Sequence, residues 1–187
     1  MPERFAALPR PRTLVHPGPF RASRIDAMHA PHGRHFRLSV GSGPSLYEAL
    51  VEGLAAHQVT SASMTLIGGR FDLLTFCFAG EDRSGQALVR YSAPMVTESA
   101  QFVFGNATLG KTAAGRPIVH CHAVFRGGDG RMLGGHLLTE RCRVGTAPMT
   151  VLATSLEGFE LRVDVDAETR TPLLHPLSAT VSEVAHV

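Results

Sequence analysis

From His35 the chain alternates, with Phe36, Leu38 and Val40 to one side and Arg37 and Ser39 to the other, the two-residue period of a strand with one buried face. Residues 41–44, two glycines and a proline among them, end that run. The period then changes. Leu46, Ala49, Leu50, Gly53 and Leu54 recur at helical spacing, and Ser45 followed three residues later by Glu48 is a capping box, so a helix is predicted over 46–57. Beyond it the sequence returns to short β-like runs separated by glycine-rich turns, at 59–67, 71–78, 86–91, 101–108, 118–125, 132–139, 149–154 and 159–165. A sheet with one apolar face must cover it. The expected fold class is therefore α+β, an antiparallel β-sheet flanked by one main helix and short helices.

Composition adds boundaries to this pattern. A chain of 187 residues that is 44% hydrophobic is long enough for one sizeable core and short for two. Prolines at 2, 9, 11, 17, 19 and 31 leave the start without a sustained apolar period. The division expected is an irregular basic arm over 1–34, one domain over 35–168 and an extended C-terminal tail over 169–187. Net charge is only +2, too close to neutral to indicate a nucleic-acid or membrane surface, but it is unevenly spread. Residues 1–37 carry seven arginines against Glu3 and Asp26, whereas residues 155–187 carry six acids against Arg162 and Arg170. Arg10, Arg12, Arg21 and Arg24 are thus the candidate contacts for weak nucleic-acid binding through the arm. Three cysteines without a CxxC pair suggest neither a disulfide framework nor a thiolate zinc site. With no signal-peptide core and no apolar run near 20 residues, the expected location is the cytoplasm, with no membrane partner.

The chemistry lies in the histidines. In a strand, the spacing of His120 and His122 puts both imidazoles on one face and Cys121 on the other. The next turn, Gly128-Asp129-Gly130, suits a three-residue hairpin loop closed by a left-handed glycine. If Gly127 then faces Arg131, His122 faces His136 and three imidazoles converge; a shift of one residue would send His136 to the far face. Gly134 and Gly135 are expected to leave open space beside them for an ion, a water or a small ligand. Three nitrogen ligands with an open fourth position suit one divalent metal ion per subunit, zinc or another borderline ion. Glu98, at the start of a strand, is the candidate carboxylate to stand behind the histidines or act as a general base. Other chemistry is poorly supported: the glycine-rich turn joins two strands rather than a strand and a helix, and no GxSxG surrounds Ser42, Ser45 or Ser155.

Over residues 36–154 the succession of features resembles the PPC (plants and prokaryotes conserved) domain. The resemblance rests on Phe36-Arg-Leu38, the helix beginning Ser45-Leu-Tyr-Glu48, the strand ending Ile67-Gly-Gly69, and above all Val119-His-Cys-His122 followed by Asp129-Gly-Arg-Met-Leu-Gly-Gly-His-Leu137. It implies an α/β subunit on an antiparallel sheet, a homotrimer, and a histidine site at His120, His122 and His136. Gly69-Arg-Phe-Asp-Leu-Leu74 is similar to a partner-binding segment of plant members but sits one strand too early. The function implied is a metal-binding regulatory or interaction module with a DNA-binding role. The alternatives are a metal-dependent enzyme and a small-ligand sensor built on the same three histidines. An AT-hook inserts Arg-Gly-Arg into the minor groove, and Pro9-Arg-Pro-Arg12 lacks that glycine.

Overall fold

A computed structural model describes residues 15–22 and 26–178. Twelve strands, one ten-residue helix and one 3-10 turn make up the regular structure among these residues, so the fold is mostly β rather than balanced α+β. In chain order they are β1 (His35–Val40), α1 (Leu46–Ala55), β2 (Ala62–Ile67), β3 (Arg70–Cys77), β4 (Ala79–Glu81), β5 (Val89–Tyr91), β6 (Met95–Lys111), β7 (Pro117–Arg126), β8 (Met132–Leu137), the 3-10 turn Thr139–Arg141, β9 (Arg143–Val144), β10 (Met149–Ser155), β11 (Phe159–Asp166) and β12 (Thr171–Ser178). No helix among the described residues is long and apolar enough to cross a membrane.

The strands pair in the order β1-β10-β2-β6-β7-β8-β3-β9. β3 also pairs with the first part of β6, from Met95 to Gln101, so β6, β7, β8 and β3 form a closed circuit. β6 was expected only over 101–108. It runs far longer because distant strands pair with its ends, β3 with Met95–Gln101 and β7 as far as Lys111; Gly105 within it is a packing position, where a Cβ would lie 2.8 Å from the Phe102 ring and 3.0 Å from the His122 carbonyl oxygen.

The capping box forms as the sequence indicates. The Ser45 hydroxyl accepts from the Glu48 amide, and the Ser45 amide donates to the Glu48 carboxylate at 2.8 Å. Leu46, Leu50 and Leu54 are fully buried along one side of α1, against a core that includes Phe71, Leu74, Phe102, Phe125 and Met149. Each buried leucine removes apolar surface worth about 2 kcal/mol from water, so this stripe holds the helix on the sheet.

The C-terminal segment is extended but not a free tail. β12 pairs along its whole length with β11, from Phe159 opposite Ser178 to Asp166 opposite Thr171. Pro172 and Pro176 concealed this; among the described residues β12 pairs with β11 alone, and an edge strand tolerates proline. The uneven charge also acquires a local meaning. Near the β11–β12 turn, His16 Nδ1 lies 2.6 Å from Glu168, the Arg21 amide donates to the same carboxylate, and the Arg21 guanidinium lies 3.8 Å from Asp166. The described part of the basic arm is therefore docked on the acids of its own chain.

Candidate metal centre

Burial alternates along β7: Val119, Cys121, Ala123 and Phe125 point into the core, while His120, His122 and Val124 are exposed. The strand continues into a turn whose geometry sets the register with β8. The Gly127 amide donates to Arg131, the Gly130 amide donates to Gly127, and Gly130 adopts φ of +83°, which a β-carbon would disfavour. His122 consequently lies opposite His136. Ring centroids are 4.8 Å apart for His120 and His122, 4.7 Å for His120 and His136, and 5.2 Å for His122 and His136. One nitrogen from each ring lies within 4.8 Å of the others.

The surroundings favour the neutral form of His120 and His136. Burial, reinforced by His120 and His122, pushes His136 down to about 4; burial also lowers His120, with a smaller contribution from His122. Neutral imidazole carries the lone pair that a metal requires. The Nδ1 of His136 is buried without a hydrogen-bond partner, an unfavourable state unless something else engages it. Three converging imidazole nitrogens, with one buried nitrogen of His136 unpartnered, fit a zinc-type ion. The cysteines are unsuited to share it. Burial pushes Cys121 up to about 12 and Cys142 up to about 11, so both stay protonated thiols in the core.

Other expected groups are placed elsewhere. Glu98 does not stand behind the histidines: it pairs with Leu73, and its carbonyl crowds Gly128 at the hairpin turn, where a Cβ would approach it to 2.6 Å. On β6, Glu98 precedes Asn106, the partner of His122, by roughly 25 Å of strand. The space expected at the two glycines is also partly used. A Cβ on Gly135 would meet the Cys77 carbonyl oxygen at 2.8 Å, so Gly135 admits β3, while both glycines line a shallow groove with Phe104, Asn106 and His122. Of the arm, Arg21 faces Asp166; Arg10, Arg12 and Arg24 lie outside the described residues.

The site contains groups that the histidine pattern did not reveal. Thr108 lies opposite His120 and Asn106 opposite His122, a register set by the Thr112–Arg116 turn with Gly115 at φ of +80°. That turn glycine was the available signal. Tyr91 stacks at 5.0 Å from His136, at the end of a three-residue strand with no motif to announce it. His120, His136, Tyr91, Thr108 and Glu140 share a cavity of about 550 Å³.

The fold is shared with several solved structures. A PPC protein from Pyrococcus horikoshii superposes with a TM-score of 0.60 at 16% identity, over 81% of this chain and 100% of that one. The metal-containing protein from Archaeoglobus fulgidus gives 0.60 at 18%, over 81% and 99%. A Ralstonia eutropha JMP134 protein, called a "Putative DNA-binding protein", gives 0.61 at 22%, over 79% and 93%. No curated protein sequence matches the chain. The Plants and Prokaryotes Conserved (PCC) domain, the same family as PPC, matches residues 28–156, and the chain belongs to that family.

Proposed function

We infer that the chain is a metal-binding PPC module in which His120, His122 and His136 hold one divalent ion, zinc being the best match, and that it acts as a homotrimeric regulatory or interaction protein. The carrying observation is the convergence of three imidazoles, one nitrogen of each within 4.8 Å of the others, with the Nδ1 of His136 buried and unpartnered. An unmet buried nitrogen costs about 1–3 kcal/mol, and engagement by an ion would relieve that cost. The name of the Archaeoglobus protein, metal-containing, agrees with this reading. When bound, such an ion supplies a Lewis acid and an anchor for a Lewis-basic ligand. The test is elemental analysis of protein purified without a histidine tag. One ion per chain is expected; no metal, and no uptake of zinc, cobalt or nickel, would leave the histidines as ordinary strand residues.

A DNA-binding role draws on the name of the Ralstonia protein and on the arginines of the arm. Because it would rest on the arginines of the arm rather than on the folded domain, any such binding should be weak, salt-sensitive and indifferent to sequence. Each phosphate contact should contribute about −0.9 to the log-log salt slope. Tight binding to one sequence at high salt, retained by protein lacking residues 1–30, would overturn this. The small-ligand reading has its own observation, the cavity beside His120 and His136.

A further inference from the structure

The cavity beside the histidines is closed by a part of the chain outside the family match, which ends at residue 156. β7 and β8 supply Ile118, His120, His136 and Leu137; β11 and β12 supply Leu161, Val163, Leu173 and Leu174. The hairpin is held by chemistry local to it. Arg162 pairs in parallel with Lys111, and both side chains bond Glu160. Gly110 permits the approach, since a Cβ there would lie 2.7 Å from the Leu161 carbonyl oxygen. An open histidine patch has thereby become a pocket with an apolar wall.

We propose that this pocket binds a small monocarboxylate with an apolar body, its carboxylate on the ion held by the three histidines and its body against Leu161, Val163 and Leu174. The proposal rests on the metal reading above and adds the class of ligand. The volume of about 550 Å³ is that of a small-molecule site. Among the described residues its lining contains no lysine or arginine, so the histidine-bound ion is the cation available to an anionic head group. That lining is wrong for nucleotides and other polyphosphates, which need several positive groups. Glu140 also faces the pocket and disfavours a second carboxylate, which selects monoacids over diacids. Tyr91, packed on His136, and Thr108, opposite His120, line the histidine end of the cavity and carry hydroxyls able to bond a carboxylate.

Calorimetry on the full chain distinguishes the parts, with octanoate as the monoacid probe and suberate as the diacid of equal length. Zinc-loaded protein should bind octanoate at least about tenfold more tightly than chelator-stripped protein, and suberate about tenfold more weakly than octanoate. Leu174→Asp should weaken octanoate binding at least about tenfold while one zinc per chain is retained. Glu140→Gln, at an exposed position, should narrow the difference between octanoate and suberate, and it carries the test if Leu174→Asp does not fold. If zinc binds one to one but octanoate gives no heat, or binds stripped protein equally well, the ligand proposal is overturned and the metal reading stands. Failure of zinc uptake overturns both.

Discussion

His122 on β7 lies directly opposite His136 on β8, with ring centroids 5.2 Å apart and planes at 78°. The three-residue turn Gly128-Asp129-Gly130 sets this pairing, and side chains alternate faces with every residue of register. Deleting Met132, just past the turn, should leave the turn intact, move β8 by one residue so that His136 faces Ala123, and carry its side chain away from His120 and His122. Zinc uptake should fall from one per chain to none while the far-ultraviolet spectrum stays β-like. Full uptake by the deletion variant would show that the register does not assemble the site.

This pairing was legible because every piece of it is local. Gly127 opposite Arg131 follows from the turn residues alone, and His120 and His122 share a face by strand geometry. The α1 boundary was similarly local in the Ser45–Glu48 box, although the helix stops at Ala55 rather than 57. What remained hidden depends on distant partners. Glu98 reads as a strand-start carboxylate, and only the pairing of β6 with β3 and then β7 shows how far it stands from His122. The 159–178 hairpin was hidden by Pro172 and Pro176, which are compatible with a strand only once β12 is known to be an edge.

Acid should destabilise the metal-free protein in a defined window. His136 is lowered to about 4 and His120 is also lowered, chiefly by burial, whereas an unfolded chain titrates its histidines near pH 6.5. Below pH 6.5 the unfolded state binds more protons than the folded state, so stability rises with pH there. The contribution is fully present above about pH 6.5 and is lost as pH falls towards 4. Urea midpoints of chelated protein between pH 4 and 8 should be flat at the top and drop below about 6.5. A midpoint that does not change across that window would show that the imidazoles are not held neutral. The same lowering means that protons compete with an ion at His120 and His136 only below the ordinary histidine range.

Cys121 sits between His120 and His122 yet belongs to the core, fully buried and with its thiol pushed up to about 12. Cys121→Ser should therefore leave the zinc stoichiometry at one per chain while lowering stability by about 1–3 kcal/mol, since a hydroxyl replaces a buried apolar sulfur. His122→Ala should do the reverse, lowering zinc occupancy with little effect on the core. Elemental analysis beside urea unfolding of each variant separates the two. Loss of metal in the serine variant would place the sulfur in the site after all.

The opposite consequence of strand alternation is a row of apolar side chains left outside. Ile67 on β2 is paired with Phe104 on β6, which is paired with Val124 on β7, and the three are 44%, 45% and 44% exposed. Adjacent large hydrophobics on neighbouring strands form one patch, and such a patch is unfavourable in water unless a partner covers it. The homotrimer proposed above would account for that face if another copy covered it, and the groove lined by Phe104, Asn106, His122 and Gly134 continues it to the histidines. Phe104→Glu should place a charge where the contact is made and convert the trimer to monomer with the fold retained. Light scattering should give three subunits for the wild type and one for the variant; a monomeric wild type, or a trimer indifferent to Phe104→Glu, would mean that the face is covered in some other way.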